Sequence, residues 1–210
     1  MKNKSTSDLV QLSLFVAIIV LLAVTPFLGY IPLGFTKATI IHIPVIIGSI
    51  VLGSKKGAFL GFVFGLTSLL NATFNPTPTS FAFSPFYSFA GVNGNFWSLV
   101  ICFVPRILVG IVPFYVYRAL KSKIGKDSVA LTVAGVCGSL TNTVLVLSLI
   151  YFCFGQQYAA VSGVDYSALV GVLMGVVGIN GIPEAIVAGV LTLAVAKVLL
   201  KYQKHVASPA

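Results

Sequence analysis

The stretch Leu9-Val10-Gln11-Leu12-Ser13-Leu14-Phe15-Val16-Ala17-Ile18-Ile19-Val20-Leu21-Leu22-Ala23-Val24 contains no charged residue. Lys2 and Lys4 precede it, so its outline is that of a secretory signal. However, Thr25-Pro26-Phe27-Leu28-Gly29 offers no small-x-small cleavage site, and the run exceeds the roughly 7–15 apolar residues of a signal core. It reads as a retained first membrane helix over about residues 8–29, which makes lipid the solvent for the chain.

The remaining sequence agrees. Of 210 residues, 58% are hydrophobic and 8% charged, whereas a soluble domain carries about 25% charged residues. A membrane-spanning helix needs about 20 apolar residues. Further apolar stretches lie at about 39–52, 58–71, 96–120, 128–152 and 180–201. The expected fold is an all-α integral membrane protein of six transmembrane helices, one domain over 1–210, without room for a soluble catalytic domain. The second span is short, so it must be buried by neighbours or extended by its loop. The uncharged segment Thr73–Asn95 reads as a long extracellular loop between helices 3 and 4, and Phe154–Tyr166 as a polar loop. Ser167–Leu200 as one helix would reach about 50 Å, too long for a core of about 30 Å. Asn180-Gly181-Ile182-Pro183 is its natural break, with Ser167–Val177 folding back or lying near the outer surface.

Thirteen Lys and Arg against four Asp and Glu give a net charge of +9. With the N-terminus inside, Lys2, Lys4, Lys55, Lys56, Arg118, Lys121, Lys123, Lys126, Lys197, Lys201 and Lys204 fall in cytoplasmic segments, and only Lys37 in an outer loop. Short cytoplasmic loops favour basic residues, so both termini are expected in the cytoplasm. The charge is a topology signal and implies no nucleic-acid partner.

Small residues four apart mark close helix contacts in lipid. Gly57, Gly61 and Gly65, and likewise Gly171 and Gly175, read as packing within the chain; Ser13 and Ala17 read as a docking face for another membrane protein. Polar residues inside spans are costly and mark function. Arg106 follows Pro105, which frees a carbonyl and bends the helix. Glu184 lies four residues after Asn180 on one helix face. With Asn71, Asn142 and His42 they suggest a polar cavity open to the outside; an Arg106–Glu184 ion pair that only fixes the helices is the alternative. Phe74, Phe81, Phe83, Phe86, Tyr87 and Phe89 in the long loop suit a lid over an organic ligand, or anchors at the membrane interface. Cys102, Cys137 and Cys153 read as small buried hydrophobes. There is no GxxxxGK[ST], HExxH, GxSxG or His/Cys cluster, so no metal, cofactor or ATP site is expected.

Gly34-Phe35-Thr36-Lys37-Ala38-Thr39-Ile40-Ile41-His42-Ile43-Pro44-Val45-Ile46-Ile47-Gly48 resembles the substrate-binding (S) components of energy-coupling factor (ECF) vitamin transporters. Gly53-Ser54-Lys55-Lys56-Gly57-Ala58-Phe59-Leu60-Gly61, Phe83-Ser84-Pro85-Phe86 and Asn180-Gly181-Ile182-Pro183-Glu184-Ala185 continue the match, most like its pantothenate-type members. The resemblance implies a vitamin bound near the outer face and partners in a membrane scaffold (T) subunit and two cytoplasmic ATPases, with Ser13 and Ala17 standing where the family has Ala-x-x-x-Ala. It implies a substrate-binding set of Lys37, Thr39, His42, Asn71, Phe83, Ser84, Arg106, Asn142, Asn180 and Glu184. Arg106 is the first candidate for a ligand carboxylate and Lys37 the second; the asparagines suit amide and hydroxyl groups. An S component for another vitamin, a self-sufficient secondary transporter, and an intramembrane enzyme or assembly factor are the competing readings.

Overall fold

The computed structural model describes residues 4–33 and 36–207; Lys2 of the charge pattern and Gly34-Phe35 of the motif lie outside the described residues. The chain is predominantly helical. Five helical stretches among the described residues are long and apolar enough to cross a membrane: Thr6–Val24, Ser54–Phe74, Phe96–Ile124, Asp127–Val161 and Tyr166–Gln203. His42–Leu52 is a shorter apolar helix.

Helix α1 (Lys4–Val24) stops earlier than residue 29. Pro26 disfavours helical geometry at the residue before it, and the Thr25 hydroxyl donates to the Leu21 carbonyl at 2.7 Å. The chain turns through Phe27, whose φ of 60° lies in the left-handed region. An antiparallel hairpin follows, β1 (Tyr30–Leu33) and β2 (Thr36–Thr39), with Tyr30 opposite Thr39.

Helix α2 (His42–Leu52) spans about 16 Å, roughly half of a bilayer core. Every residue from His42 to Ile50 is buried, so the short helix is enclosed by its neighbours. Gly53 joins it to α3 (Ser54–Phe74) through a φ of 94°, which L side chains rarely adopt.

The stretch 96–120, expected as one span, falls within the single crossing candidate Phe96–Ile124, which is built of two helices, α4 (Phe96–Val109) and α5 (Val112–Ile124). The break falls at Gly110–Ile111, and Pro105 stays inside α4. The glycines of α3 explain how closely this pair lies against it. A Cβ on Gly61 would sit 2.2 Å from the Arg106 carbonyl oxygen, and one on Gly57 2.0 Å from that of Gly110. Gly171 and Gly175 behave otherwise: a Cβ there meets nothing within 4 Å, so their expected role in packing within the chain is corrected.

Helix α6 (Asp127–Val161) runs through the segment expected to be a polar loop from Phe154. Phe154 leaves helical geometry (φ −134°, ψ 16°), and the helix resumes because Tyr158 and Ala159 bury themselves in the core beyond it. The final region is also unbroken. After a short turn at Tyr166–Ala168, α7 (Leu169–Val176), α8 (Ile182–Leu191) and α9 (Lys197–Ala207) are joined by π-helical turns at Val177–Gly181 and Thr192–Ala196. The first π turn replaces the expected break at Asn180–Pro183: its wider hydrogen-bond ring carries the helix into Pro183, which has no N–H to give.

Lys56 pairs with Asp8 at 2.6 Å, Lys197 donates to Ser128 Oγ at 3.1 Å, and Gln203 donates to Gln11 at 3.0 Å. These contacts gather the starts of α1, α3 and α6 with α9 at one end of the bundle. The hairpin, the 75–95 connection and the far ends of α6 and α7 meet at the other. There Phe81 packs edge-on against Phe154 at 5.6 Å within a second apolar core.

Gly61→Val is expected to lower stability by about 1–3 kcal/mol, read as a lower unfolding midpoint in detergent, because the Arg106 backbone cannot retreat. Gly171→Val should leave that midpoint in place.

Candidate functional site

A cavity of about 120 Å³ lies toward the end of the bundle opposite the Lys56–Asp8 and Lys197–Ser128 contacts. One water needs roughly 10–15 Å³, so the space admits a small organic molecule. The hairpin contributes Tyr30, Lys37 and Thr39; α3 contributes Ser68, Asn71 and Ala72; the 75–95 connection contributes Thr77, Thr79, Ser80 and Phe83. Arg106 comes from α4, Asn142, Thr143, Val146, Leu147, Ile150 and Tyr158 from α6, and Val176, Asn180 and Glu184 from the last helical rod. Helices α1, α2 and α5 supply none of the lining.

Arg106 lies about 15 Å along α4 from its start and is buried. Pro105 cannot donate to the Ile101 carbonyl one turn back, and that carbonyl accepts from Arg106 Nη1 at 2.8 Å. Nη2 donates to Ser68 Oγ at 3.4 Å. The guanidinium lies 5.5 Å from the Phe64 ring centroid and 5.2 Å from that of Phe83, distances at which cation–π attraction operates. Its Nε is buried without a hydrogen-bond partner, and so is Asn142 Oδ1, on the same cavity. A buried donor and a buried acceptor left open together are what a ligand with complementary groups would satisfy.

Glu184 Oε1 accepts the Thr39 backbone N–H at 2.7 Å, tying the last helical rod to the end of the hairpin. The ion pairs among the described residues are Lys56–Asp8 and Lys121–Asp127, so Arg106 and Glu184 share the cavity without pairing. Lys37 donates to Asn71 Oδ1 at 2.6 Å and to the Asn75 carbonyl oxygen. Burial lowers the Lys37 ammonium below the ordinary lysine pKa and pushes the Tyr30 phenol up to about 12.

The structure brings Lys37, Thr39, Asn71, Phe83, Arg106, Asn142, Asn180 and Glu184 to one cavity. Two expected residues are not on its wall. His42 is the first residue of α2 and is wholly enclosed. Ser84 is also wholly buried, and its hydroxyl is engaged with Thr73 at 2.7 Å and the Phe86 N–H at 3.2 Å, which shapes the connection. The aromatics of that connection divide. Phe81 is buried and Phe83 lines the cavity, whereas Phe86, and Phe74 at the end of α3, are exposed as membrane anchors would be.

Tyr30, Ser68, Thr77, Thr79, Ser80, Thr143 and Tyr158 are lining residues that the sequence reading missed. Tyr158 had a signal: Asn142, Val146, Ile150, Phe154 and Tyr158 recur every four residues, one stripe of a helix continued past Phe152.

Residues 7–196 match the family described as ECF transporter, substrate-specific component. The chain is 43% identical over 207 residues to the pantothenic acid transporter PanT of Lactococcus lactis subsp. cremoris, covering 98% of this chain and 100% of that one. It is 34% identical over 208 residues to the pantothenate transporter PanT of Leuconostoc mesenteroides subsp. mesenteroides, covering 95% of each.

The Arg106–Ile101 contact invites a double-mutant cycle. Arg106→Gln is expected to cost about 1–3 kcal/mol of unfolding free energy in detergent, because it orphans the Ile101 carbonyl. In a Pro105→Ala background, where a backbone N–H serves that carbonyl, the same substitution should cost clearly less.

Proposed function

The chain belongs to the ECF transporter substrate-specific component family, and on that premise we propose that it captures pantothenate at the outer face of a bacterial cell membrane. The observation that carries the reading is the cavity with Arg106 on its wall, where Arg106 Nε and Asn142 Oδ1 are both without a hydrogen-bond partner. Pantothenate offers a carboxylate for the guanidinium, and hydroxyl and amide groups for Asn71, Asn142 and Asn180. Its aliphatic part suits the wall of Val146, Leu147 and Ile150. Lys37, Thr39, Phe83 and Glu184 complete the binding set in this reading.

The lysine-rich end faces the cytoplasm by the preference of short basic segments, with both termini inside, six spans, and the cavity opening outward. ATP-driven delivery belongs to a membrane scaffold (T) subunit and two cytoplasmic ATPases. The scaffold docks on the face of α1 that carries Ser13 and Ala17. Both residues are exposed, Phe15 and Ile19 point into the core, and α1 contributes nothing to the cavity wall, which suits a docking role.

The purified chain in detergent should bind pantothenate one to one, and Arg106→Ala should weaken binding by about 2–5 kcal/mol in isothermal titration. An unchanged dissociation constant would remove Arg106 from the site. Replacing Ser13 and Ala17 together by Leu should abolish uptake in cells that hold the partner subunits while leaving the dissociation constant as it was. The chain alone in liposomes should accumulate no pantothenate under an ion gradient; accumulation would make it a self-sufficient transporter.

A further inference from the structure

Lys37, Arg106 and Glu184 are the Lys, Arg, Asp or Glu residues on the cavity wall among the described residues. No two of them neutralise each other. Lys37 is held by Asn71 Oδ1 and the Asn75 carbonyl, Arg106 by the Ile101 carbonyl and Ser68 Oγ, and Glu184 by the Thr39 N–H. Two cations and one carboxylate leave the wall with a formal excess of one positive charge, which a monoanion balances. A neutral ligand leaves a buried positive charge uncompensated, and a more highly charged anion leaves negative charge; both are unfavourable in a poorly solvated space.

We propose that Glu184 is a specificity-determining residue that restricts the cavity to monoanions bearing a free hydroxyl and turns away ligands of higher negative charge. The inference rests on the pantothenate reading and deepens it. An ionised carboxylate only accepts hydrogen bonds. With Oε1 taken by the Thr39 N–H, Glu184 keeps capacity to accept from a donor on the ligand, such as a hydroxyl. A phosphate ester of that hydroxyl brings only acceptors and further negative charge against it. Specificity of this kind needs a repulsive element as well as attractive ones. It gives Glu184 a purpose on a wall that otherwise attracts an anion.

The test is competition against radiolabelled pantothenate on the detergent-purified full chain at pH 8. The competitors are pantothenate, its carboxylate-reduced alcohol, and the phosphate ester of its primary hydroxyl. The wild type should bind the acid best, with each analogue weaker by about tenfold or more. Glu184→Gln preserves an acceptor for the Thr39 N–H and raises the excess charge to two, so the ester should gain on the acid by about tenfold or more. Lys37→Gln lowers the excess to zero, so the alcohol should gain on the acid. A merely structural role would weaken all ligands together and would not favour the ester in one variant and the alcohol in the other. The assignment is overturned if the ester matches the acid on the wild type, or if Glu184→Gln leaves their ratio unmoved. If pantothenate binds and only the ratios fail to move, the charge rule alone falls; if pantothenate does not bind at all, the functional reading falls and takes this one with it.

Discussion

A guanidinium buried in a bundle meant for lipid must be given partners, and the backbone of its own helix provides the main one. Pro105 leaves the Ile101 carbonyl without its helical donor, and Arg106, the next residue, fills the gap with Nη1 at 2.8 Å. Each group answers the other's deficit: an orphaned acceptor and a desolvated cation are both costly alone. The side chain is therefore held across its own helix, flanked by Phe64 and Phe83, with Nε left open. The rest of the cavity is arranged around that fixed point. Phe83 brings the 75–95 connection to it, and Ser68 brings α3.

The same residue explains the close packing behind it. Gly61 lies against the Arg106 carbonyl, so α3 and α4 approach backbone to backbone where the charge is buried. Larger residues would hold the two helices apart and carry Ser68 away from the guanidinium. The cavity wall is built from the hairpin, the 75–95 connection, α3, α4, α6 and the last helical rod, whereas α1 and α5 pack around α2. The cavity and the outward face of α1 thus occupy separate parts of one small bundle.

Much of this was legible from composition and from polar residues in apolar stretches. Arg106, Asn142, Asn180 and Glu184 were marked by the cost of placing them in lipid, and they line one cavity. The hydroxyls of Thr77, Thr79 and Ser80 were not, because in a polar connection such residues are ordinary and carry no penalty to betray them. His42 carried the same mark as Arg106, yet it is enclosed in protein, since sequence distance from a span's end does not tell which side of a short helix meets a cavity. Helix ends were read least well, and for one reason. Gly and Pro at 180–183, and the polar residues after Phe154, look like punctuation. A π turn and a single non-helical residue absorbed them, because apolar side chains on the far side, Tyr158 and Ala159 among them, had a core to enter.

The enclosure of α2 has a consequence for the surrounding membrane. A helix so short, if it met the acyl chains, would suffer hydrophobic mismatch, and the bilayer would have to thin or the helix to recruit neighbours. From His42 to Ile50 it meets only its own protein, so no lipid deformation is owed to it. Its depth is dictated by the helices that surround it, and bilayers of different thickness are sensed through those longer helices alone.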